Sequence, residues 1–182
     1  MPGLQRANAG EQGGRLLVAA GVLTIVNDYL PGADNLDLGV LNSVGLVAIT
    51  LGVLALFLPW SRLPVRAPLV LALAAFGLIV LSNVYGGVSA FSYAVYFVVI
   101  FVWIGIGQPP RTALWLAPLA TAAYVGPFLT EAHPAPNAIG SVTVAIPVCV
   151  LVGEVLANSV RRLDQSRQQL AARVRVVERL AT

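Results

Sequence analysis

The chain has 182 residues, of which 58% are hydrophobic and only 10% are charged. Soluble globular domains carry roughly 25% charged residues, so this composition leaves too little charge to cover the surface of a soluble fold. The net charge of +3 includes eleven basic residues, all of them arginine, which stand at loops and at one end of the chain. We therefore expect an all-α integral membrane protein with the lipid bilayer as a partner and no nucleic-acid partner.

Six apolar stretches are separated by short polar breaks. They cover residues 15–30, 39–58, 67–85, 89–107, 112–129 and 138–158. A helix needs ~20 residues to cross ~30 Å of hydrocarbon, and lipid offers no partner for backbone amides, so each stretch is predicted to be a helix. The first stretch resembles the apolar core of a signal peptide. Polar residues rather than a small-residue cleavage site follow it, so we interpret it as a membrane helix.

The arginines predict the orientation of this six-helix transmembrane bundle. With six spans, all eleven arginines fall on one side of the membrane, whereas Asp28, Asp34, Asp37 and Glu131 fall on the other. Arginine-bearing loops stay in the cytoplasm, so both termini are expected there. The use of arginine without lysine is typical of a GC-rich bacterial genome. The predicted location is therefore the cytoplasmic membrane of a bacterium.

The sequence divides into a polar, glycine-rich tail (1–14), the transmembrane domain (15–158) and a cytoplasmic helix (159–182). The tail is typical of a disordered segment. In the cytoplasmic helix, apolar residues recur in heptads and define a predicted dimer seam. Its members are Val160, Leu163, Leu170, Val174 and Val177. The pattern predicts a parallel coiled coil and a homodimer, which Arg167 in the seam weakens. The alternative is an amphipathic tail on the inner membrane surface, which the lack of Trp and Phe disfavours.

The last residues, Val177-Glu178-Arg179-Leu180-Ala181-Thr182, carry a family resemblance. The segment resembles the linker directly before the catalytic domain of membrane-bound diguanylate cyclases of the GGDEF family. Bacterial histidine kinases and membrane adenylate cyclases also attach six-span sensors to a helix of this kind. The resemblance implies that an output enzyme follows residue 182, with a diguanylate cyclase as the first choice and a histidine kinase or adenylate cyclase as the alternative. The helix stops in the middle of its pattern, which fits an expected truncation before that domain.

Polar residues near the outer ends of the spans could line a pocket that faces away from the cytoplasm. They are Asn27, Asp28, Asn83, Tyr85, Tyr93 and Tyr96. Such a pocket would bind a small-molecule signal. The alternative is an interfacial belt of tyrosines together with helix caps.

Two residues of the sixth span are candidates for coupling the bundle to the cytoplasmic helix. Pro147 predicts a kink. Glu154 is an acid well inside an apolar span, where a charge costs about 2.5–3.5 kcal/mol on insertion scales. It could form a structural pair with an arginine, couple signalling to a neighbouring helix, or belong to a proton or ion path.

The chain shows no nucleophile, base and orienting group that stand together, so we expect no catalytic activity in it. One histidine, His133, and scattered acids predict no metal site, and no cofactor is expected. The leading hypothesis is a sensory input module that regulates a C-terminal signalling enzyme. The alternatives are a small transporter or channel, for which the apolar interior is unfavourable, and a structural anchor.

Overall fold

Six α-helices account for most of the computed structural model, which describes residues 2–29, 37–85, 94–130 and 136–181. The helices are α1 (Pro2–Asp28), α2 (Leu38–Phe57), α3 (Leu69–Tyr85), α4 (Ala94–Gly107), α5 (Thr112–Thr130) and α6 (Pro136–Ala181). A 3-10 turn over Trp60–Arg62 follows α2. These ranges contain no strand, so the prediction of an all-helical chain is confirmed.

Helix α1 begins thirteen residues earlier than the sequence predicts. The prediction of a disordered tail is wrong for residues 2–14, which continue the helix without a break. The glycines that suggested disorder are contact points: a Cβ on Gly10 would overlap the indole of Trp60, and one on Gly13 would lie 2.6 Å from the ring of Trp103. Packing against these two rings overrides the low helix propensity of glycine.

Helices α1 and α2 form an antiparallel pair in which backbone meets backbone. A Cβ on Gly14 would lie 2.9 Å from the carbonyl oxygen of Gly52, and one on Gly21 would lie 2.5 Å from that of Gly45. The two glycines of each helix are seven residues apart and therefore share one face. This is the small-residue packing by which helices approach closely in a lipid environment.

Helices α3 to α6 pack around an aromatic cluster instead. Phe97 stacks on Phe76 with ring centroids 5.4 Å apart, and it meets the edge of Tyr124 at the same distance. Tyr124 continues the chain of rings to Phe128 at 6.0 Å. Cys149 of α6 is buried in the same core. This cluster fixes α6 in the bundle before the helix leaves it.

Many large apolar side chains are exposed on the outward faces of the helices. Phe57 is 82% exposed and Trp115 is 83% exposed. Within the described residues, two helical segments, Leu38–Phe57 and Thr143–Ala171, are long and apolar enough to cross a membrane, and only 28% and 22% of an apolar 18-residue window in each are buried. The core helix of a soluble protein would bury most of such a segment, so the two exposed segments weakly favour association with a membrane.

The bundle has two chemically different ends. At one end, Ala9 meets Gly107, and Gly10 meets Trp60. We call this the arginine end, because the 3-10 turn, the α4–α5 turn and the outgoing part of α6 place their arginines there: Arg62, Arg66, Arg111 and Arg161. At the opposite end, the Asn42 amide lies 3.5 Å from the Tyr29 hydroxyl. Tyr85 and Asp37 share a shallow surface hollow there.

Candidate functional site at the arginine end

The turn between α4 and α5 is stiff and strained. Gln108 donates its backbone N–H to the carbonyl of Ile104 at 2.8 Å, and two prolines follow at 109 and 110. Arg111 then takes a φ of 73°, in the left-handed region. A residue with a Cβ pays of the order of 1–3 kcal/mol for such a conformation, so surrounding contacts must hold it.

Glu154 of α6 makes one such contact. Its Oε2 atom accepts a hydrogen bond from the backbone N–H of Arg111 at 2.9 Å. A carboxylate on an amide forms a charge-assisted hydrogen bond, which is stronger than a neutral one. The acid that the sequence places inside an apolar span therefore ties α6 to the strained turn through its backbone.

A hollow of about 590 Å³ with polar and apolar walls opens next to this contact. We call it the arginine-end pocket. It lies between the start of α1, the α4–α5 turn and the outgoing part of α6, and its polar lining residues come from all three: Asn8, Gln12, Gln108, Arg161, Asp164, Gln165 and Gln168. An adjoining cleft shares Pro109, Pro110 and Arg161 with it and adds Glu154 and Asn158. The two hollows together place amides, carboxylates and guanidinium groups around one junction.

Three buried polar atoms at this junction have no hydrogen-bond partner. Gln108 is 7% exposed, and neither its Nε2 nor its Oε1 is paired. The Oε1 atom of Glu154 is likewise buried and unpaired. Across the described side chains, the fourth atom of this kind is Oδ1 of Asn83, in α3. An unsatisfied buried group costs about 1–3 kcal/mol, so the burial of these polar atoms opposes the apolar packing around them.

The polar residues predicted to line an outer pocket lie in separate environments. Asn83 is buried in α3, Tyr85 is exposed beside Asp37, and Asn27 is exposed near the end of α1. Tyr96 lines an apolar cavity instead. Tyr93 and the side chain of Asp28 lie outside the described residues. Among the described members, the structure gathers no common pocket.

The apolar cavity measures about 80 Å³ and lies where α1 and α2 meet α3 and α4. Its walls are formed by small and aliphatic side chains, with Trp103 and Tyr96 at the α4 side. The Trp103 indole N–H donates to the carbonyl of Ala9 at 3.0 Å and closes the seam between these pairs of helices. The cavity has almost entirely apolar walls, so it does not form a polar binding site.

The predicted coupling and seam residues fall along α6. Pro147 interrupts the amide pattern inside the helix, and its side chain is exposed. Val160 is half-buried and lines the arginine-end pocket. Leu163 and Leu170 are exposed at 60% and 62%. The side chains of Val174 and Val177 lie outside the described residues.

Sequence reasoning missed Gln108. The one available signal was its place between an apolar stretch and a proline pair, where a polar side chain ends the apolar stretch. Its burial depends on contacts that the spacing alone does not indicate.

The chain matches no family model, no curated protein and no solved structure. Within the described ranges, no group of three or more His, Cys, Asp or Glu side chains could hold a metal ion.

Proposed function

We propose that the chain is a membrane-embedded sensory and dimerisation module of a bacterial signalling protein. Its six helices cross the cytoplasmic membrane with the arginine end inside. It regulates a cytoplasmic enzyme at its C-terminal side, a diguanylate cyclase in the first instance and a histidine kinase or adenylate cyclase in the second. The observation that carries this proposal is α6, a single helix of 46 residues that begins in the bundle and leaves it at the arginine end.

The contact between Glu154 and Arg111 supplies a means of coupling. It joins the outgoing helix to the turn between α4 and α5 at the point where α6 leaves the bundle. A change of helix tilt in the bundle must alter this contact or move the turn with it. Rotation or tilt of α6 would then change the direction in which Leu163 and Leu170 point in a dimer.

The transport alternative has less support. Ser82 and Asn83 are buried near one end and Gln108 near the other. Between them lie the rings of Phe76, Phe97 and Tyr124. A solute path needs polar groups near the bilayer midplane, where these aromatic residues pack.

Impermeant thiol labelling tests the six crossings. The natural Cys149 is buried, so we expect it not to react with the reagent. Cysteines introduced at Asn35 and Ala135 should react from outside intact cells, whereas those at Arg62 and Arg111 should react only after lysis. Reaction of both pairs from the same side would disprove the topology.

Changes in the rotational phase of α6 test the signalling role. Residues are inserted after Leu163 in chimeras that carry a diguanylate cyclase catalytic domain after residue 182. Each inserted residue rotates the output by about 100°, so one to six residues should change activity periodically and seven should nearly restore it. Activity that does not depend on insertion length would reduce the bundle to an anchor.

Disulfide cross-linking tests the dimer seam separately. Cysteines at Leu163 and Leu170, which are both exposed, should link two chains efficiently. Cysteines at Gln165 and Gln168, which line the arginine-end pocket, should link them much less. Equal linking around the helix would favour a tail lying on the membrane surface.

A further inference from the structure

Two arginines line a single cleft at the point where α6 leaves the bundle. The cleft measures about 650 Å³, and its walls are Pro109, Pro110, Arg111, Glu154, Asn158 and Arg161. We call it the arginine cleft. Both arginines are exposed, and within the described part of the chain neither guanidinium group forms an ion pair. The cleft therefore presents two cationic groups that an anion can reach.

The one acid in the walls of the arginine cleft is engaged with the protein itself. Oε2 of Glu154 accepts the backbone N–H of Arg111 at 2.9 Å, and Oε1 is buried. Two guanidinium groups against one carboxylate leave the cleft with a net positive charge. That charge complements a phosphodiester, which is a monoanion whose oxygens accept paired hydrogen bonds from arginine.

The backbone of Arg111 is a second observation that points to a ligand. Its φ of 73° lies in the left-handed region, which glycine adopts without strain and arginine does not. Strained residues of this kind cluster at ligand-binding sites. Glycine at this position would remove the strain, but it would also remove a guanidinium group from the cleft. The strain therefore accompanies a side chain that only a ligand would use.

Exposed apolar side chains stand beside the cleft on both of its helices. On α5, Leu114 and Trp115 of the first turn are 59% and 83% exposed. On α6, Leu151 and Val155 are 64% and 55% exposed, and their spacing from Asn158 places them on its face of the helix. A soluble phosphate would leave these side chains uncovered, whereas the acyl chains of a lipid would cover them. The apolar surroundings therefore favour a lipid as the source of the phosphodiester.

We propose that the arginine cleft binds the phosphodiester of an anionic phospholipid, represented by phosphatidylglycerol. The guanidinium groups of Arg111 and Arg161 donate hydrogen bonds to the phosphate oxygens. The inference rests on the proposed membrane crossing, which puts the cleft at the headgroup level of the inner leaflet. Phosphatidylcholine carries the same phosphodiester together with a cationic group, which the positive cleft disfavours, so it is the matched probe.

The tryptophans make binding at this cleft observable. Trp60 and Trp103 are 5% and 6% exposed, whereas Trp115 is 83% exposed and lies beside the cleft. Phospholipids brominated on their acyl chains quench a tryptophan that they contact. The full chain is reconstituted in phosphatidylcholine bilayers that contain an equal fraction of either brominated phosphatidylglycerol or brominated phosphatidylcholine. Phosphatidylglycerol should quench more strongly, and Trp115→Phe should remove the difference. Equal quenching by the two lipids in the native chain would overturn the proposal.

Three arginine variants distinguish a defined site from a diffuse attraction of charges. Arg111→Gln and Arg161→Gln should each lower the preference for phosphatidylglycerol about fivefold, the effect of one arginine close to an anionic bilayer surface. Arg62→Gln removes an exposed arginine at the same end of the bundle that does not line the cleft, and it should keep the preference. Equal losses in all three variants would overturn the assignment to the cleft.

Arg111→Gly separates binding from folding. In pure phosphatidylcholine it should raise the midpoint of thermal unfolding, because glycine adopts the left-handed backbone without strain. It should nevertheless lower the preference for phosphatidylglycerol as much as Arg111→Gln does. A preference that survives in Arg111→Gly would show that the guanidinium group does not bind the lipid.

A soluble competitor tests the source of the phosphodiester. Glycerophosphoglycerol, the same headgroup without acyl chains, should not displace brominated phosphatidylglycerol from Trp115. Displacement at an equal concentration would overturn the lipid source and assign the cleft to a free phosphodiester. The quenching measurement needs no output domain, so its failure is distinguishable from failure of the insertion series, and thiol labelling tests the membrane crossing separately.

Discussion

The pair α1–α2 and the group α3–α6 solve the same packing problem in opposite ways. In the pair, Gly14 and Gly21 meet the backbone of α2 with no side chain between. In the group, the rings of Phe76, Phe97 and Tyr124 interlock around a common centre. In the bilayer setting that we propose, lipid tails are as apolar as the side chains, so close van der Waals contact rather than expulsion of water would hold the helices together.

The two kinds of packing predict opposite sensitivities to mutation. A backbone contact tolerates the removal of neighbouring atoms but not the addition of a methyl group, because two main chains cannot move aside separately. An aromatic cluster tolerates small shifts but not the loss of a ring, which leaves a cavity. Mutations in the two regions therefore test whether each is packed as described, from the largest expected effect to the smallest.

The largest effect should come from Gly21→Val. Its Cβ would lie 2.5 Å from the carbonyl oxygen of Gly45, so the two helices must separate along their length. We expect loss of the monodisperse folded protein in mild detergent, measured by size-exclusion chromatography and thermal unfolding. Gly77→Val is the matched control, since a Cβ there meets nothing within 4 Å. Similar behaviour of the two variants would refute backbone contact between α1 and α2.

Phe97→Ala should come next. The side chain is 1% exposed and contacts rings on both sides, so its loss should destabilise the protein by about 3–5 kcal/mol. Phe57→Ala, at a site that is 82% exposed, controls for the chemistry of the substitution. Reversible unfolding in mixed micelles measures both. The aromatic cluster would lose its assigned role if the two variants unfolded at the same denaturant concentration.

Trp103→Phe should have a smaller effect at the seam between the two regions. It removes the hydrogen bond to the Ala9 carbonyl but keeps an aromatic ring, at a cost of about 1 kcal/mol. Hydrogen exchange should speed up in the first turns of α1 and remain unchanged in α5. Trp115→Phe, on the exposed face of α5, should leave exchange in α1 unchanged. If α1 were protected from hydrogen exchange equally well in Trp103→Phe, the hydrogen bond from Trp103 to Ala9 would not hold the start of α1 in place.

Gly77→Ala should give the smallest effect, and its sign should be opposite to that of Gly21→Ala. Gly77→Ala should stabilise α3 by up to about 1 kcal/mol, because alanine is the better helix former and the site is open. Gly21→Ala should instead destabilise the bundle. The two midpoints of thermal unfolding are compared with the wild type. Stabilisation by both substitutions would show that helix propensity rather than packing controls both positions.

Long apolar runs made the helices predictable. The predicted span 39–58 nearly coincides with Leu38–Phe57, and 112–129 with Thr112–Thr130. The start of α1 was predicted wrongly because composition alone cannot distinguish glycine as a flexible residue from glycine as a contact point. Gly13 packs on Trp103, ninety residues further along the chain, and no local pattern indicates such a partner.

The candidate site was only partly predictable, again because some of its contacts join distant parts of the chain. Glu154 could be selected because an acid in an apolar span must find a partner, and it does so on the Arg111 amide. Gln108 could not, since its burial depends on α6 and on the proline turn. The described tyrosines and asparagines at the other end lie at a similar depth in the bundle, but their side chains point in different directions. Sequence position predicts only the depth.

The part of α6 beyond Pro147 is long enough to amplify a small bend at that proline. Ala181 lies 34 residues past that proline, a distance of about 50 Å at the rise of an α-helix. A proline supplies no amide hydrogen to the preceding turn, so it is the softest point of the helix. A 5° deflection there would carry the far tip through about 4 Å. Such a displacement is about three-quarters of the rise of one helical turn, although side chains close to Pro147 hardly move.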